Sequence, residues 1–178
     1  SLEILRMKRA LKIVVTGPFG AGKTAFIQTI SQIDVVSTER KITHRAPAGK
    51  EETTVALDYG RVTLGKTVLN LFGTPGQKRF DFMWEILSKE MDGFAVLVDS
   101  TEPKTFREAK RLIRLFSRYN SVPYVVVANK QDLAGAVSLV ELRRILNLDG
   151  RVQVVPCIAT RKRDVRSVLQ SLLELIPQ

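Results

Sequence analysis

Apolar positions along this chain come in two rhythms. Leu11 to Thr16, Gly93 to Val98 and Val122 to Ala128 are short, nearly continuous apolar runs, the pattern of parallel strands covered on both faces. Between them, apolar residues return every third or fourth position. Phe106, Ala109, Leu112, Ile113 and Phe116 predict a helix over about Pro103 to Tyr119, and Val165, Val168, Leu169, Leu172, Leu173 and Ile176 predict a closing helix. A further helix is expected after the glycine loop that ends the first run, reaching about Ile33. Ser138 to Leu146 reads as a short helix, with Ser138 as N-cap and Glu141 three residues on, a capping-box pattern.

Val55 to Leu64 and Thr67 to Phe72 flank Gly65-Lys66 and read as a hairpin, and Val152 to Pro156 reads as the last strand. These elements predict an α/β fold: a doubly wound, six-stranded, mostly parallel sheet with one antiparallel edge hairpin strand and about five helices. One domain is expected over residues 1–178, with residues 1–10 as an N-terminal extension. Ile33 to Thr53, rich in Thr, Lys, Arg and Gly, is expected to be unstructured. A loop of about 20 residues in a compact domain is usually functional or mobile.

Composition narrows the picture. No apolar stretch approaches the ~20 residues of a membrane-spanning helix. Ser1 to Lys12 has no continuous signal-peptide core, and neither end offers a lipidation motif, so the cytoplasm is the expected compartment. Cys157 is the only cysteine and His44 the only histidine, which excludes an intrachain disulfide and a multi-histidine zinc site. The formal charge of +10 speaks to association rather than fold. Without an aromatic-interleaved basic motif it points to no specific nucleic acid, and membrane contact is expected to be at most electrostatic.

Gly17-Pro18-Phe19-Gly20-Ala21-Gly22-Lys23-Thr24 fits G-x-x-x-x-G-K-[ST], a phosphate-binding loop set between a strand and a helix. Its glycines let successive backbone N–H groups turn around a phosphate, and the helix start, with Ala25 in its first turn, adds a favourable dipole. Lys23 would reach the β- and γ-phosphate oxygens and the Thr24 hydroxyl would ligate Mg²⁺. Asn129-Lys130-Gln131-Asp132 follows a buried strand. A carboxylate at Asp132 can accept from guanine N1–H and its 2-amino group; adenine has neither donor.

With these motifs, and with Gly73-Thr74-Pro75-Gly76-Gln77 and Cys157-Ile158-Ala159-Thr160, the chain resembles Ras-like small GTPases over nearly its whole length. The resemblance implies a GTP/GDP switch with slow, Mg²⁺-dependent hydrolysis stimulated by a partner. It implies that the Ala159 N–H meets guanine O6, that the Lys130 stem lies along the base, and that Gly76 contacts the γ-phosphate while Gln77 orients the attacking water. It places Thr54, with Thr53 as second choice, as the switch threonine on Mg²⁺; the spacing from Thr54 to Gly73 looks like the Arf branch. Together with Thr53-Thr54, the Gly73 to Gln77 segment also resembles prokaryotic small GTPases of the gliding-motility type. Those are controlled by roadblock/LC7-domain partners, so regulators and effectors of that kind are implied.

Three departures stand against the family pattern. Gly73 occupies the place of an aspartate that supports Mg²⁺, leaving Asp99 or Asp58 as candidates. Phe19 stands where glycine is common, which would crowd an arginine supplied in trans. The 33–53 stretch offers no aromatic residue for the base, with Arg161 or His44 as substitutes, and Arg45 is a conceivable arginine in cis. An alternative reading is a guanine-nucleotide-binding module with little hydrolysis.

Overall fold

The computed structural model describes residues 9–75, 78–118 and 122–177. The first apolar run becomes β1 (Arg9–Thr16), followed by α1 (Lys23–Ile30). Next come β2 (Val36–Ala46), β3 (Gly49–Leu64), β4 (Thr67–Gly73) and α2 (Phe82–Glu90). The chain continues through β5 (Gly93–Asp99), α3 (Phe106–Arg118), β6 (Tyr124–Asn129), α4 (Leu139–Ile145), β7 (Val154–Pro156) and α5 (Lys162–Leu175).

The strands form one sheet of seven in the order β2-β3-β4-β1-β5-β6-β7. All neighbouring pairs from β4 to β7 are parallel, while β3 runs antiparallel to both β2 and β4. The chain leaves β1 toward β4 on one side and returns to β5 on the other. This change of direction opens a crevice at the carboxyl ends of the strands, where doubly wound sheets bind ligands.

Alternation along β1 explains the two-sided core. Ile13 and Val15 pack with Phe26, Ile27, Val165, Val168 and Leu172 on the α1/α5 face, whereas Val14 packs with Met83, Trp84, Leu112 and Leu142 on the face of α2, α3 and α4. Every residue of β5 is buried, which accounts for its continuous apolar run. Ser138 caps α4 as anticipated, its hydroxyl accepting from the Glu141 N–H at 3.2 Å.

Two expectations need correction. The sheet has seven strands rather than six, because residues 33–53 are not a loop. Val36–Ala46 pairs along its whole length with β3, from Val36 opposite Tyr59 to Ala46 opposite Gly49. The polar composition of this hairpin hides its strand character: β2 is an edge strand with one inward anchor, Ile42, 3% exposed, and charged side chains on an edge strand are common protection against unwanted pairing. The tip turns at Gly49 with φ +118°. The helix α2 leaves little periodic trace in the sequence, since Phe82, Met83, Trp84, Ile86 and Leu87 crowd together without a clean helical interval. The end of the expected 103–119 helix, at Tyr119, lies outside the described residues.

Candidate functional site

The turn between β1 and α1 is shaped by three glycines at positive φ: Gly17 (+150°), Gly20 (+78°) and Gly22 (+102°). Space matters as much as conformation at two of them. A Cβ on Gly17 would meet the Leu97 carbonyl oxygen at 2.3 Å, and one on Gly22 would meet Asn129 Nδ2 at 2.3 Å. Among the described residues no side chain caps the N-terminus of α1, and the N–H groups of such a helix start can face an anion. The Lys23 ammonium donates to the carbonyls of Gly17 (2.7 Å) and Pro18 (2.9 Å). Burial pushes its pKa down to about 8, with the negative charge of Asp58 opposing that shift.

Beside this loop lies a cavity of about 360 Å³ whose walls include Lys23, Thr24, Asp58, Gly73 and Thr74. Phe19, 91% exposed, stands at its rim with Arg79 and Phe80. The Thr74 hydroxyl is buried without a hydrogen-bond partner among the described residues. Thr24, Asp58 and Thr74 offer only oxygen donors. That chemistry fits a hard cation such as Mg²⁺, which needs few protein ligands because it keeps much of its water.

A second cavity, about 200 Å³, is lined by Gly22, Ala25, Asn129, Lys130, Asp132, Leu133, Ile158, Ala159 and Thr160. Asn129 joins the two. Buried at the end of β6, it donates from Nδ2 to the Ala21 carbonyl at 2.9 Å and accepts from the Ala159 N–H at Oδ1, 3.0 Å away. Lys130, in the left-handed region at φ +63°, sends its ammonium to Asp99 (2.7 Å) and to the Gly20 carbonyl (3.2 Å). Burial pushes the Asp99 carboxyl up, but the hydrogen bonds from Lys130 and Thr101 outweigh it and hold the group below the ordinary carboxylate range. Gln131 is tied to Ser100 and the Val137 carbonyl, leaving Asp132 exposed at the cavity wall.

The structure thus gathers Gly17, Gly20, Ala21, Gly22, Lys23, Thr24, Ala25, Asn129, Lys130, Asp132, Ala159 and Thr160 from three chain segments. Others fall elsewhere. Cys157 underlies the second cavity rather than lining it; burial, and then the charge of Asp164, push its thiol up to about 12, which makes it an inert thiol. Thr54 and Thr53 sit in β3 opposite Lys41 and Ile42 and do not line the phosphate-loop cavity. Gly76 and Gln77 lie outside the described residues.

Of the two carboxylates considered near Gly73, Asp99 is engaged by Lys130 at the second cavity, and Asp58 lines the first. His44 stacks on Phe82, centroids 3.9 Å apart, far along the sheet from the base-side cavity, and Arg45 lies exposed near the hairpin tip. Leu133 and Ile158 also supply apolar wall to the second cavity, a role that no motif marks. The only available signal was their position beside the motif residues.

A glycine-turned loop at the switch point of a doubly wound sheet, with an uncapped helix behind it and a buried asparagine bridging to a second cavity, defines a P-loop nucleotide-binding protein. The ADP-ribosylation factor family model matches residues 2–176. The chain belongs to the Arf family of small GTPases, which bind and hydrolyse GTP and act as GTP-dependent molecular switches.

Among its relatives, an uncharacterized protein of Methanocaldococcus jannaschii, MJ1339, is 32% identical over 126 residues, 71% of this chain and 73% of that protein. The mutual gliding-motility protein MglA of Myxococcus xanthus is 30% identical over 148 residues, 76% of this chain and 75% of that protein. The fold is shared with the Arl6 BBS3 small GTPase of Trypanosoma brucei, solved with the nucleotide analogue GppNp. That match has a TM-score of 0.69 at 22% identity and covers 93% of this chain and 96% of that one.

Proposed function

We propose that this chain is a cytoplasmic switch that binds GTP and GDP with Mg²⁺ across the two cavities. The phosphates lie against the Gly17 to Thr24 loop and the guanine lies against Asp132, Lys130, Ala159 and Thr160. The observation that carries this assignment is the double hydrogen bond of Asn129, which holds the phosphate loop and the 157–160 segment at a set distance. One nucleotide can then touch both.

In this arrangement Lys23 exchanges its contacts to the Gly17 and Pro18 carbonyls for phosphate oxygens. Thr24 offers its hydroxyl to the metal, and Asp132 accepts from the guanine N–H groups. Bound Mg²⁺ supplies neutralisation of charge on the phosphates. Gly76 and Gln77 are assigned to the γ-phosphate and the attacking water. Thr54 is on the same face of β3 as Asp58 but four residues away, roughly 13 Å, so it joins the site only after the β2–β3 hairpin shifts along the sheet. Phe19 at the rim crowds the approach of an arginine from outside, which suits slow turnover that depends on a partner. A roadblock/LC7-type regulator fits the likeness to MglA.

Competition binding with a fluorescent GDP analogue tests the assignment. GTP and GDP are expected to displace it and ATP to fail, and Asp132→Asn should transfer preference toward xanthine nucleotides. Equal displacement by ATP would remove the guanine assignment.

A further inference from the structure

Position 73 closes β4 and is glycine, so the end of this strand carries no side chain into the phosphate cavity. Its cross-strand partner on β3 is Asp58; the two are opposite each other in the antiparallel register. Side chains directly opposite on one face of such a pair lie within about 5.5 Å of each other at Cβ. The distance here is shorter still: a Cβ built on Gly73 would stand 3.3 Å from Asp58 Cβ and 3.7 Å from Asp58 Oδ2. A side chain at 73 would thus be crowded from two sides, by Ile27 Cδ1 at 2.9 Å and by the Asp58 side chain, whose Cβ is nearer than an ordinary contact. Asp58 also lines the cavity with Thr24 and Lys23, and its charge acts on the Lys23 ammonium.

We propose that the carboxylate supporting Mg²⁺ in this protein has crossed from β4 to β3, so that Asp58 holds the water shell of the Thr24-bound metal while Gly73 makes room for it. The proposal rests on the Mg²⁺-nucleotide reading of the site and deepens it. Asp58 is a positioning residue, acting on the metal through its waters. It belongs to the arrangement described above, in which Thr54 is outside the cavity.

The physical consequence has a sign that a structural role lacks. A carboxylate close to the phosphates repels them when no metal is present and helps to hold them when one is. Release of a fluorescent GDP analogue should therefore be followed for wild type, Asp58→Asn and Asp58→Ala across a Mg²⁺ titration, with an EDTA arm. The expected result is that both variants need at least about tenfold more Mg²⁺ to slow release, yet release GDP no faster than wild type in EDTA.

A Mg²⁺ midpoint within twofold of wild type overturns the proposal. So does release accelerated equally in both arms, which would mark Asp58 as merely structural. Wild-type protein that binds no GDP removes the underlying site reading, and the proposal with it. Intact wild-type binding beside an unshifted Asp58→Asn midpoint removes the proposal alone.

Discussion

At the scale of single residues, Lys23 carries the clearest chemical signature. Its ammonium is held among carbonyl dipoles rather than phosphates, and burial lowers its pKa from 10.5 to about 8. The folded protein without nucleotide therefore binds fewer protons than the unfolded chain between those values. Its stability gains from Lys23 as pH rises from about 8 toward 10.5, since the cost of burying the charged form, fully present below 8, is then relieved. An anion in the loop favours the charged form and reverses the preference. GDP binding should take up a proton above pH 8, and affinity should fall about tenfold between pH 7 and pH 9. Calorimetry in buffers of different ionisation enthalpy checks the uptake, and Lys23→Ala should abolish it.

At the scale of elements, the outer part of the β2–β3 hairpin extends past the end of β4, whose ladder with β3 covers only Asp58 to Leu64. Beyond its own ladder and that of β3 with β4, it is fastened by the burial of Ile42, Val55 and Leu57, by an ion pair from Arg40 to Glu90 and by the stack of His44 on Phe82. An aromatic stack contributes about 1 kcal/mol beyond its area. His44→Ala should accordingly raise amide exchange in residues 38–46 by about fivefold while leaving β5 and β6 unchanged, because local opening is governed by local contacts. Equal loss of protection in β5 would show that the hairpin does not open separately. If the hairpin is the element that brings Thr54 to the site, the same substitution should also speed nucleotide-dependent exchange between the two arrangements.

At the scale of the whole molecule, the site is built where distant parts of the chain meet. Asn129 reaches Ala21 and Ala159, and Asp58 from the hairpin faces the loop after β1. A ligand touching all of them binds only the folded state. GDP at a thousand times its Kd should add about 4 kcal/mol of stability, which for a chain of this length is a rise in Tm of about 8–16 °C. A thermal melt with GDP and Mg²⁺ against one with ATP and Mg²⁺ measures this directly. The positive charge also has a location at this scale. Lys104, Arg107, Lys110 and Arg114 line one groove along α3 with Glu108, away from both cavities, so salt should affect partner association more than nucleotide binding.

What the sequence alone determined is local: the buried strands, the amphipathic helices, the Ser138 cap, the glycine turn and the order of the nucleotide motifs. Each of these is written in adjacent residues, as a period, a cap or a conformation that only glycine adopts easily. Tertiary structure decided what depends on partners far away in the chain. It turned the polar stretch from residue 33 to 53 into β2 and the start of β3, because each offers the other an edge to pair with. It placed Asp99 on Lys130 and Asp58 in the phosphate cavity, a choice that two isolated aspartates in a sequence do not reveal. It also set Gly73 opposite Asp58 and against Ile27, a crowding of partners distant in the chain that a glycine in a sequence does not reveal.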